Sequence, residues 1–99
     1  MNDLFFTSDK VRTMTNVEAA RLIKNTKQCH SVRPSKTMPK LLEVVPWDEK
    51  HESGGWTLFD LFSASAVVAV ADVVKPEHLE KLNLMHFTRT VSFCMGCVK

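Results

Sequence analysis

From Thr57 to Val74 the chain runs for eighteen residues without a proline or a glycine, and no stretch constrains the fold more. Thr57 and Asp60 form a helix-start signature, since a hydroxyl at the cap and a carboxylate three residues on satisfy each other's backbone amides. Leu58, Phe59, Leu61, Phe62, Val67, Val68, Val70 and Val73 then fall on every side of a 3.6-residue period. A helix that is apolar all round is buried all round, so 57–74 is expected to be a central helix. Ser63, Ala64, Ser65, Ala66, Ala69 and Ala71 would let neighbours approach it closely. Truncating Phe62 or Val67 to Ala is expected to cost ~1–5 kcal/mol on that reading. The uncharged run between Asp60 and Asp72 is only eleven residues long, well short of the ~20 needed to span a bilayer.

The flanks supply what packs against it. Thr15-Asn16-Val17-Glu18 reads as a capping box, and Ala19, Leu22, Ile23 and Thr26 recur on one side after it. A helix is expected over 16–26, with Arg21, Lys24 and Lys27 pointing away from the core. Segments 28–33 and 41–45 are short and partly β-branched, and they flank Pro34 and Pro39, which forbid helix. They are expected to form a β-hairpin. Trp47 and Trp56 bracket a polar loop, and both are expected to pack on the core. Pro76 at a first turn with Glu77 beside it starts another short helix, running to about Leu84. The tail fits two patterns. Phe87, Val91, Cys94, Met95 and Val98 make a helical face, while Phe87, Arg89, Val91, Phe93 and Met95 alternate as in a strand. Residues 1–14 read as an arm and 15–99 as one globular domain. The fold class is α+β: a buried central helix with two or three shorter helices and a small antiparallel hairpin or three-stranded sheet.

Composition agrees with a folded chain. Apolar residues make up 44% and charged ones 24% of 99 residues, which suits one globular domain rather than a disordered segment. Three cysteines are too few and too odd in number for a disulfide scaffold, so a reducing compartment is expected. The first residues lack the basic start and apolar run of a secretory signal. A cytoplasmic protein is expected, in the host cytoplasm if a phage encodes it.

Chemistry is sparse. Cys94-Met95-Gly96-Cys97 could be half a zinc site, with Cys29 and His30, His51, His78 or His86 as further ligands, or a redox pair. Its apolar setting and the two residues left after it favour plain packing. Ser63 and Ser65 have no nucleophile elbow around them, and the four histidines lie in separate segments. Asp48, Glu49 and Glu52 read as a solvated acidic tip, and Gly54-Gly55 alone makes no phosphate loop. No catalytic group, metal or cofactor is expected.

Charge distribution is the stronger lead. Arg21, Lys24, Lys27, Arg33, Lys36 and Lys40 fall between Ala20 and Leu42 with no Asp or Glu among them, giving that segment +6 in a chain of net +2. These six are the expected partner-binding residues, provided helix and hairpin turn bring them into one patch. A small non-catalytic protein-binding module is expected, acting as an inhibitor or adaptor on a protein partner with an acidic surface. Size and build suit a phage or mobile-element protein that blocks a host nuclease or polymerase. The alternative is nucleic-acid binding through the same basic segment, although no Phe, Tyr or Trp lies between Met14 and Trp47 to stack on bases.

Overall fold

Asp60, not Thr57, starts the central helix. Its backbone is extended (φ −89°, ψ 169°) and its Oδ1 accepts from the Ser63 amide at 2.7 Å. Thr57–Phe59 before it is a strand, so the helix covers Leu61–Ala71 and closes on Asp72. Two cap-type residues three positions apart offered two starting points. The inner one prevails because Thr57, Leu58 and Phe59 pair with Val32, Ser31 and His30. The expected helix over 57–74 is therefore too long at both ends.

The computed structural model describes residues 11–38, 40–53 and 55–98. Among these residues, four strands and four α-helices follow in the order β1 (Arg12–Met14), α1 (Asn16–Thr26), β2 (His30–Pro34), β3 (Leu42–Pro46), β4 (Thr57–Phe59), α2 (Leu61–Ala71), α3 (Pro76–Leu84) and α4 (Phe87–Cys97). A 3₁₀ turn, Glu49–Ser53, bridges β3 and β4. The sheet is antiparallel throughout, in the order β1-β3-β2-β4. This is the expected α+β class, with four strands where two or three were expected. The extra strands come from Arg12–Met14, at the end of the segment read as an arm, and from the start of the expected central helix. The tail contributes none, because α4 is helical, with Phe87, Thr90 and Cys94 turned inward. No helix among the described residues is long and apolar enough to cross a membrane.

Local signals decide α1. Thr15 accepts from the Glu18 amide at 3.2 Å, and Glu18 Oε1 accepts from the Thr15 amide at 2.9 Å, completing the box. Lys27 ends the helix in the left-handed region (φ 57°) and places a cation at the negative end of the dipole. The hairpin forms as the prolines dictate, in register from His30 opposite Pro46 to Pro34 opposite Leu42.

Side chains alternate across the sheet. Val32, Leu42, Val44 and Phe59 face the helices and join Ala19, Ala20, Ile23, Ala64, Val67, Val68 and Ala71 in the core. The small residues of α1 and α2 allow the close approach expected of them. The other half of the expectation fails, since α2 is not buried on every side. Phe62 on α2 is 71% exposed, and Val73, just after the helix, is 81% exposed.

The opposite sheet face carries Ser31, Arg33, Glu43, Val45 and Leu58. Trp56 lies on this face with the Arg33 guanidinium 4.0 Å from its ring, and its ring also meets His51 at 5.3 Å. Trp47 is exposed. Neither tryptophan sits in the core as expected, because the loop folds over the outer face of the sheet.

Candidate functional site

Helix α3 is fastened at its C-terminal end by α1. The last carbonyls of any helix lack intrahelical donors, and the first amides lack acceptors. Here the two ends satisfy each other. Asn16 Nδ2 donates to the Leu82 and Met85 carbonyls at 2.9 and 2.8 Å and lies 3.0 Å from Thr90 Oγ1. Thr90 Oγ1 also donates to the Leu82 carbonyl at 2.8 Å. In return Asn83 Oδ1 accepts from the Val17 amide at 3.0 Å. Asn16 and Thr90 are both buried, so this polar knot is shielded from water.

The knot positions an apolar groove of about 520 Å³ between α3 and α4, beyond the end of α2. Buried Leu82 and half-buried Val74 and Met85 line its depth, and Leu84 and Phe93 stand more openly beside them. Leu84 is 51% and Phe93 52% exposed. Among the described residues, His78 and Lys81 are the polar residues of the lining, and no carboxylate joins them. The volume lies within the ~300–1,000 Å³ usual for ligand sites. No local pattern announces it, because its residues come from three segments, the turn at Val74, α3 and α4, and each looks ordinary by itself.

The six basic residues are not gathered as expected. The hairpin turn that carries Lys36 and Lys40 follows the Pro34–Leu42 end of the sheet, where Met14 also pairs with Leu42 and α1 begins. Lys27 closes α1 at its other end, about 16 Å away for eleven residues. Arg21 is 2.9 Å from Asp72, the residue that ends α2. Arg33 is 2.8 Å from Glu43 and stacks on Trp56. Lys24, Lys27, Lys36 and Lys40 are exposed. Being neighbours in the chain did not make helix end and hairpin turn neighbours in space, because β2 carries the turn to the opposite end of the sheet.

Ser31 and His51 form a pair that sequence reading missed, with Oγ and Nδ1 2.8 Å apart. Ser31 is 1% exposed, so no substrate reaches its hydroxyl and the bond serves to pin the 3₁₀ turn to the sheet. Asp48 starts that turn, its Oδ1 accepting from the Lys50 amide at 3.0 Å.

The Cys94-x-x-Cys97 pair lies on the last turn of α4, with Cys94 buried and Cys97 exposed. No group of three potential metal ligands comes together among the described residues. Burial, and secondarily the neighbouring Cys97, raises the Cys94 thiol from 9.0 to about 11. The folded state therefore holds a proton that the unfolded chain releases near its ordinary pKa. The associated stability is complete below about pH 9 and is lost as the pH climbs towards about 11. Iodoacetamide at pH 8 is expected to alkylate Cys97 in the folded protein and Cys94 only after unfolding, as read by peptide mass spectrometry. Equal native rates at the two positions would contradict this burial.

No protein-family model, curated protein or solved structure matches this chain.

Proposed function

We propose that this chain is a protein-binding module, an inhibitor or adaptor, that docks an amphipathic acidic segment of a partner protein in the α3–α4 groove. The observation that carries this reading is the groove itself: a concave apolar surface with an exposed aromatic and an exposed leucine standing over buried floor residues. Apolar helical grooves accept the apolar face of a partner segment, and aromatic anchors commonly dominate such binding. His78 and Lys81, the polar groups among the described lining residues, favour a segment that carries acidic groups. The exposed lysines of α1 and of the hairpin turn would act at longer range, speeding encounter with an acidic partner without touching it. Nucleic-acid binding is the weaker reading, since Arg21 and Arg33 are paired with Asp72 and Glu43 and Trp56 is already stacked on Arg33. A cytoplasmic setting, with a host nuclease or polymerase as the target of a phage-encoded inhibitor, fits this scheme.

The test compares two exposed aromatics. Phe93→Asp is expected to weaken capture of the partner from a host lysate by about 30-fold or more, the effect of losing an anchor worth ~2 kcal/mol. Phe62→Asp, on α2 outside the groove lining, should leave capture intact. The reverse pattern, or capture that survives Phe93→Asp but disappears on nuclease treatment, would reject the groove.

A further inference from the structure

We propose that the open edge of β4, with the depression beside it, takes an extended, uncharged segment of a partner protein as a further strand of the sheet. Strand register fixes which groups stand free. The Trp47 amide donates to the Cys29 carbonyl at 3.2 Å and the Ser35 amide to the Leu41 carbonyl at 3.0 Å, both in the register of β2 with β3. Bonded and unbonded pairs alternate along an antiparallel ladder, so Ser31 and Arg33 also bond to β3. The backbone groups of His30 and Val32 then turn to β4, where they face Phe59 and Thr57. Leu58 lies between those two and sends its N–H and C=O away from β2. No strand adjoins β4 on that side among the described residues. Such an edge is a template for one more strand.

Beside the edge lies a depression of about 250 Å³, bounded by β4, by Ser63 in the first turn of α2 and by Thr88, Val91 and Ser92 of α4. The Leu58 side chain belongs to the outer face of the sheet, whereas α4 meets Phe59 on the inner face. A depression that both Leu58 and α4 line therefore opens at the strand edge. At 100° per residue, Thr88, Val91 and Ser92 point away from Phe93, so this site and the α3–α4 groove use different sides of one helix. In a strand added to β4, the residues flanking the one opposite Leu58 point to the helix side. One of them fills the depression. Val91 and the hydroxyls of Ser63, Thr88 and Ser92 suit an apolar or hydroxyl-bearing side chain there, and the described lining offers no counter-ion to a charged one. A second copy fits less well. Pairing through its own Leu58, it would present Thr57 and Phe59 on that side, and Phe59 is committed to its own core.

Amide NMR on the full chain, titrated with a capped heptapeptide of alternating threonine and valine, tests this. In the free chain the Leu58 amide is expected to exchange with solvent faster than those of Thr57 and Phe59. The peptide should slow that exchange and shift the Thr88, Val91 and Ser92 signals, and the same peptide with aspartate for valine should do neither. Proline is tolerated on an edge where its missing N–H faces solvent, so Leu58→Pro removes the outward donor and leaves the ladder to β2. It is expected to weaken binding about tenfold or more, whereas Leu58→Ser, which keeps the N–H, should change it less than about twofold. Ser92→Arg, at an exposed position, should block the depression and abolish binding without moving the unfolding midpoint. That variant carries the test if Leu58→Pro does not fold. Phe93→Asp should bind the peptide as the unaltered chain does, which separates this site from the groove. A Leu58 amide already protected in the dilute free chain would overturn the proposal, as would unshifted signals at millimolar peptide or equal binding by Leu58→Pro and Leu58→Ser. Protection that grows with protein concentration alone would overturn it too, by making a second copy the occupant.

Discussion

Asn16→Ala is expected to destabilise the protein by about 2–5 kcal/mol in denaturant unfolding, more than its small volume change suggests. The side chain is 3% exposed, and its amide supplies the Leu82 and Met85 carbonyls. Leu82 keeps a second donor in Thr90, whereas among the described residues Asn16 is the side chain that donates to the Met85 carbonyl. A buried acceptor left without a partner costs ~1–3 kcal/mol, and the space vacated between α1 and α3 adds a packing loss. Asn16→Asp should be worse, because it replaces a donor with a carboxylate that faces two carbonyl oxygens. Asn83→Ala removes one bond to the Val17 amide and is expected to cost about 1 kcal/mol. If Asn16→Ala unfolds within ~0.5 kcal/mol of the unaltered chain, the knot does not hold α3, and the groove loses its structural basis.

What was readable in the sequence was local. Thr15 and Glu18 cap each other across three residues, and the prolines at 34 and 39 stop any helix between two β-rich segments. Pro76 and Glu77 mark a helix start for the same reason. Each signal is complete within one turn of chain, so no distant contact had to be known. Residues 57–62 were different. Leu58, Phe59, Leu61 and Phe62 are spaced as on a helix, and pairing of 57–59 with β2, 25 to 29 residues earlier, overrides that spacing. The tail fitted both periods, and burial of Phe87, Thr90 and Cys94 at helical spacing resolves it.

The candidate site was less legible than the fold. Asn16 reads as an ordinary first-turn residue, yet its partners lie 66 to 74 residues away. Lysine and arginine positions are visible in a sequence, but which end of the sheet a turn occupies depends on strand direction. Charge counting therefore gathered on paper what the sheet divides in space. The groove escaped notice because a depression belongs to no single residue. Val74, Lys81 and Phe93 acquire a common role only once α3 and α4 are set side by side.

Phe59→Ala is expected to cost about 3–5 kcal/mol, and Phe62→Ala less than about 0.5 kcal/mol. On the helix expected from sequence, both phenylalanines would be buried and Phe62 would be a stability determinant. The structure separates them. Phe59, on β4, is 1% exposed and meets Phe87 edge-on at a ring separation of 4.6 Å. Its loss removes a large core side chain and an aromatic pair worth ~0.5–1.5 kcal/mol beyond burial. Phe62 is 71% exposed, so its truncation gives up little area that folding had removed from water. Against a total stability of ~5–15 kcal/mol for a typical domain, the first change would bring the chain close to unfolding and the second would leave it intact. Paired urea titrations measure both. If Phe62→Ala proves the more damaging, residues 57–60 continue the helix after all, and β4 is not part of the sheet.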